Sequence, residues 1–422
     1  MKRRINLSEI IVNRNRIDYF FNIEGELQKY FKPRNHLFID YNFDISKTNK
    51  SILAIPFVSN VIPLIWITNS KLEIESLDKT FYECLDNIKN AYQEMYPNVL
   101  FKGEIIVRNI VENEFKPKKE AAVLFSGGLD ALATYLRYKN LNPFLITEYG
   151  WHNEELNESE SWNADKNNAI NFGIENNLKN ILIQSNYGTF LNYEQLDREF
   201  NKKLGDSWWH GLHHSLAIIS SAIPVTYNLK VSCIYIASSF HQGYKATCAS
   251  DPSVDNEIKY ASGRVFHDAY ELTRQDKVKL VTDYFSNINK DINIRVCFKN
   301  DNNCCNCEKC LRTILGIVAE GKSPLDFGFN IQENLSEHVK LFLKKNVKFF
   351  TPSKIMAWDI VRKRMNENSD KIIQRDLLEW FLYYDFHAER KKSLLNYRIT
   401  NFFPILERKL REKLFGVFQQ NI

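Results

Sequence analysis

The chain has 422 residues, 44% of them hydrophobic and 25% charged, with a formal net charge of +5. This balance is that of a folded chain and excludes a disordered one, and the length exceeds what a single core ordinarily serves, so two or three domains are expected. No secretory h-region opens the sequence and no apolar run reads as long enough to span a membrane, so the expectation is a cytoplasmic chain without disulfides.

Residues 1–114 are expected to form an N-terminal α+β domain. Ile52 to Phe57 and Pro63 to Ile67 read as strands, and a helix follows over roughly 77–95. The polar run Lys116-Pro117-Lys118-Lys119-Glu120 reads as a linker. A second domain is expected over 120–325. Here Ala121 to Phe125 reads as a strand, and Leu129, Leu132 and Leu136 recur at i, i+3, i+7 as an amphipathic helix. Pro143 to Ile146 is the next strand, Ile170, Ile174 and Leu178 mark another helix, and Ile181 to Ile183 another strand. This βαβαβ alternation predicts a doubly wound parallel sheet, whose ligands bind at the carboxyl ends of the strands. Trp208 to His214 opens a long apolar helix, and Val231 to Ala237 reads as a further strand. Residues 330–422 read as a helical, basic C-terminal region.

At the end of the first of these parallel strands stands Ser126-Gly127-Gly128-Leu129-Asp130-Ala131. Two adjacent glycines let the backbone approach an anion, and the helix that follows directs its dipole and N–H groups at it. Neither the GxxxxGK[ST] loop nor the dinucleotide GxGxxG is present. Far downstream, Cys297, Cys304, Cys307 and Cys310 make C-x6-C-x2-C-x2-C, a spacing that can close a tetrahedral zinc site. Cys305 is a spare thiol that could replace Cys304. Leu311, Ile314, Leu315 and Val318 follow at helical spacing, so the expected role of the cluster is structural.

The glycine loop resembles the SGGxD[ST] pyrophosphate loop (PP-loop) of ATP pyrophosphatases. Together with the cysteines it resembles 7-cyano-7-deazaguanine synthase and its relatives over roughly residues 120–320. The resemblance implies a PP-loop, HUP-like sheet binding ATP through Ser126 to Ala131, with Asp130 orienting the loop or Mg²⁺, and Zn²⁺ on the four cysteines. Tyr149-Gly150-Trp151-His152 matches a YGxxH-like segment one residue short, and Lys277 falls where the family carries a short Lys-containing helix. His152 and Lys277 are therefore the candidate proton or charge partners. Tyr149, Ser239 and Asp251 fall in segments resembling the family's substrate contacts, and His210 is a cleft-facing candidate at a helix start. The loop departs from the pattern at Ala131, where a Ser or Thr is usual, and the cysteine cluster opens with C-x6-C in place of C-x7-C.

The implied reaction is adenylation. A carboxylate or amide oxygen of a small-molecule or nucleobase-like substrate attacks the α-phosphorus of ATP, pyrophosphate leaves, and ammonia or an amine displaces AMP. Sulfur transfer to a tRNA base is the alternative enzyme, with Cys248 or Cys305 as thiolate, and a nucleotide-sensing or RNA-binding module without turnover is the third reading. From Lys340 onward Lys and Arg outnumber Asp and Glu two to one, which suits nucleic acid, although a solvated helix face over an aromatic core explains it as well. Leu406, Leu410 and Leu414 with basic neighbours suit a membrane-surface helix less well. A homo-oligomer is compatible with the sequence.

Overall fold

The computed structural model describes residues 3–33, 35–150, 159–244, 246–297, 302–331, 334–372 and 375–400. His152, Trp151 and the Leu406 to Leu414 segment lie outside the described residues. The chain divides into two compact units. The first holds Met1–Lys277, and the second holds Val278–Cys297 with the described residues from Asn302 onward.

The first unit is α/β and carries a mixed, mostly parallel sheet of 11 strands. In chain order these are β1 (Arg4–Asn13), β2 (Arg16–Glu24), β3 (His36–Tyr41), β4 (Lys71–Asp78), β5 (Glu104–Val111), β6 (Lys119–Leu124), β7 (Phe144–Tyr149), β8 (Asn180–Ser185), β9 (Val231–Ala237), β10 (Lys259–Tyr260) and β11 (Gly263–Asp268). They lie side by side as β10-β11-β9-β6-β7-β8-β3-β2-β1-β4-β5. The helices of this unit are α1 (Lys50–Thr68), α2 (Lys79–Met95), α3 (Leu129–Tyr138), α4 (Ser159–Glu175), α5 (Tyr193–Leu204), α6 (His214–Leu229) and the short α7 (Pro252–Asp255), and α8 (Arg274–Asn287) begins in it.

The central strands follow the expected alternation. β6, β7 and β8 pair in parallel through the crossover helices α3 and α4, and β9 lies parallel on the other side of β6. Val123, Leu145, Ile183 and Ile234 on these strands are fully buried, as strands covered on both faces require.

Two expectations about the N-terminal region are corrected. The strands of residues 1–114 do not build a sheet of their own: β3 pairs antiparallel with β8, Ile39 opposite Ser185, and carries the sheet on into β2 and β1. Lys119 and Glu120, read as linker, already belong to β6. The second correction concerns Ile52 to Phe57 and Pro63 to Ile67, which form one helix, α1, with Pro56 and Pro63 inside it. The two prolines break the apolar run into strand-sized pieces in the sequence, and a helix apolar on every side has no period to betray it. By length and composition α1 could cross a membrane, against the expectation that no run was long enough, but 94% of its apolar window is buried inside the protein.

The second unit is helical: α9 (Glu308–Ala319), α10 (Leu335–Asn346), α11 (Pro352–Glu367), α12 (Arg375–Leu382) and α13 (Phe386–Thr400) follow the end of α8. Trp358 of α11 is fully buried against the rings of Phe350, Phe381 and Phe386, and its indole N–H donates to Glu308 of α9 at 3.0 Å. The cysteine segment thus belongs to the helical unit, where a place in the 120–325 domain was expected. Two aromatics of this basic region are engaged inside the unit, while Tyr383 is exposed. Phe381 is core, and the indole of Trp380 donates to Ser336 at 2.8 Å.

Candidate functional site

The loop after β6 is set by its neighbour strand. The Phe125 N–H donates to the Ile146 carbonyl at 2.7 Å, and the Thr147 hydroxyl donates back to the Phe125 carbonyl at 2.7 Å. The chain then turns at Gly127, whose φ of 71° is in the left-handed region that a side chain strains. Gly128 caps α3 without a side chain, and its N–H reaches the Ser126 hydroxyl at 3.4 Å. The first-turn N–H groups of α3, from Leu129 to Ala131, have no carbonyl of their own helix to bond, so they favour an anion ahead of the helix. Ala131 is buried, and no hydroxyl stands in its place.

Asp130 meets two cations from α8. Arg274 donates to Oδ2 at 2.8 Å, and the Lys277 ammonium lies 3.4 Å from Oδ1. Burial raises the Asp130 carboxyl, but Arg274 and Lys277 outweigh it and hold the group below the usual carboxylate range. Lys277 is itself buried and donates to the Ser238 carbonyl at 2.5 Å, which ties α8 to the loop after β9. Arg274 and Lys277 stand three residues apart on one helix face. The structure therefore brings together the glycine loop, Asp130 and Lys277, and adds Arg274, which the sequence reading passed over. Its only sequence signal was that spacing to Lys277.

One more group behind this edge was not foreseen. Asp268, fully buried at the end of β11, accepts from Thr134 at 2.9 Å, Arg137 at 3.0 Å and Tyr138 at 3.0 Å, all on α3. This fixes the helix whose N-terminus the loop opens.

The remaining candidates are less concentrated. Tyr149 stacks on Trp162 of α4 at 5.1 Å between centroids. Asp251 is used as the cap of α7, accepting the Ser253 N–H at 2.9 Å. Ser239 and His210 are exposed, His210 within a π-helical turn (Trp209–His213) that precedes α6. His213 is a packed core histidine, between Tyr193 and Asn60, and burial pushes it down to about 3. Cys84 and Cys233 are buried on α2 and β9.

In the second unit the sulfurs of Cys297, Cys304, Cys307 and Cys310 lie within 4.8 Å of one another, and they are the one such group among the described residues. Four thiolates about 2.3 Å from a tetrahedral ion sit about 3.8 Å apart, and Cys304 and Cys310 are 3.9 Å apart. The group could hold a metal ion such as zinc. Asn303 shapes the segment, accepting from the Val296 N–H at 3.1 Å and donating to the Ile294 carbonyl at 2.9 Å. Cys305, in a left-handed conformation, turns its sulfur to the Asn303 carbonyl, so the ligand set takes Cys304.

Compared with known proteins, the chain matches no family model, and no curated protein matches it.

Proposed function

We propose that this chain is an ATP-dependent adenylating enzyme that forms AMP and pyrophosphate, a divergent PP-loop relative of 7-cyano-7-deazaguanine synthase. The observation that carries the reading is the Gly127 turn at the end of β6, set against the Arg274 and Lys277 pair. The turn and the first turn of α3 receive the triphosphate on backbone N–H groups, while the two cations neutralise charge on the departing pyrophosphate.

Asp130 fits a Mg²⁺ ligand by its chemistry, since it is a carboxylate held ionised at the loop. Bound there, the ion would supply charge neutralisation on the phosphates. Asp130 also keeps Arg274 and Lys277 in place before ATP arrives, so that positioning is settled in advance. A substrate carboxylate or amide oxygen then attacks the α-phosphorus, and an amine or ammonia displaces AMP. The four cysteines, carrying zinc, have a structural part.

The test is incubation with ATP, Mg²⁺ and a panel of heteroaromatic carboxylates, followed by chromatography of the nucleotides. AMP and pyrophosphate in equal amounts are expected. ADP and phosphate in their place sink the reading.

A further inference from the structure

The loop after β9 carries a second reactive group on the same edge of the sheet as the glycine loop, because β9 and β6 are neighbouring parallel strands. The Cys248 sulfur lies 3.9 Å from Nε2 of His214, the first residue of α6. The other ring nitrogen, Nδ1, is 3.0 Å from the Trp209 carbonyl. A carbonyl can only accept, so Nδ1 carries the proton and Nε2 presents its lone pair to the thiol. The π-helical turn makes this possible: it leaves the Trp209 carbonyl five residues from His214, facing both its N–H and its ring. Such turns are concentrated at functional sites.

The two residues that follow Cys248 are both anchored. The Ala249 N–H donates to the His210 carbonyl at 2.7 Å, and the Ser250 hydroxyl donates to Asp255 at 2.8 Å. Asp255 is buried and also takes the Ser215 hydroxyl and His267, so the segment rests on a buried polar network.

We propose that Cys248 and His214 are a nucleophilic dyad that accepts the acyl group from the adenylate, an inference that rests on the adenylating reading. The sulfur attacks the acyl carbon and its proton passes to His214 Nε2. The C–S bond forms as the C–O bond to AMP breaks, and AMP leaves with the electron pair. An amine then attacks the thioester and forms the C–N bond. The sulfur departs with the proton from His214, and the amine releases one proton to solvent. Burial keeps both partners neutral at rest, pushing the thiol up to about 11 and the imidazole below its ordinary value. The dyad is thus a hydrogen-bonded pair rather than an ion pair, and His214 works as a general base.

The test uses p-nitrophenyl acetate as acyl donor and peptide mapping by mass spectrometry. A single hydroxylamine-labile acetyl group on Cys248 of the wild-type chain is expected, with Cys248→Ser losing it and His214→Gln slowing it at least tenfold. Cys305→Ser should be labelled at the wild-type rate. No label on Cys248, or an unchanged rate in His214→Gln, overturns the proposal. The wild-type labelling needs no variant to fold. The ester also bypasses the nucleotide, so a failed dyad and a failed adenylation read out separately.

Discussion

Asp130 and Arg274, 144 residues apart in the chain, meet at 2.8 Å across the opening of α3. On the adenylating reading, phosphate oxygens would later share the group on which this carboxylate spends its charge. Arg274→Ala is expected to raise the KM for ATP by about ten- to a hundredfold, since a hydrogen bond to a charged group contributes about 1.5–3 kcal/mol. Kinetic titration of ATP checks this, and an unchanged KM removes Arg274 from the phosphate site.

Gly127→Val should abolish AMP and pyrophosphate formation. The left-handed φ at this position costs a branched residue about 1–3 kcal/mol, and the new side chain blocks the approach of an anion to the backbone. Asp130→Ala should do the same by removing the charge between Arg274 and Lys277. Circular dichroism should show both variants folded. Turnover at the wild-type rate in either would exclude the loop as the ATP site.

Close to one zinc per chain is expected by elemental analysis, lost in part in Cys307→Ser together with solubility. Burial, with Cys307 and Cys304 nearby, pushes the Cys310 thiol up, so metal binding must release protons and zinc must be lost as the pH falls. Full occupancy and normal stability in Cys307→Ser would refute the assignment.

Glu148 stands at the end of β7 with one carboxyl oxygen accepting from Ser221 at 2.7 Å and from Tyr187 at 3.4 Å. Burial pushes its carboxyl up to about 8. A pKa raised in the fold means that the folded chain holds the proton more tightly. Its stabilising effect is complete below the ordinary value of 4.5 and is lost as the pH rises through about 8. The span amounts to on the order of a few kcal/mol. Glu148→Gln should flatten the denaturation midpoint between those two pH values. An equally steep profile in the variant would mean that another group titrates.

The parallel centre of the sheet was legible because each strand there is a short apolar run bounded by turns, with amphipathic helices between. Ala121 to Phe125 lies within two residues of β6 at either end, and Val231 to Ala237 coincides with β9. The cysteine spacing named Cys297, Cys307 and Cys310 because short loops fix which sulfurs can converge, and left Cys304 and Cys305 for the structure to separate. What failed was long-range. Nothing local in His36–Tyr41 says that β3 pairs with β8, since any half-buried strand writes the same alternation. Nor could α1 be told from two strands when every face is apolar. The tie between Cys248 and His214 depends on one extra residue in a helical turn, which leaves no mark on composition.

The antiparallel seam between β3 and β8 makes the first hundred or so residues inseparable from the half that carries the glycine loop. Cutting the chain before β6 would leave β8 as a raw edge with unpaired backbone groups, and would strip from α6 the buried helix it packs against. A fragment trimmed to the part that looks like an ATP pyrophosphatase would therefore aggregate, and deletion mapping of this protein would mistake a lost scaffold for a lost activity.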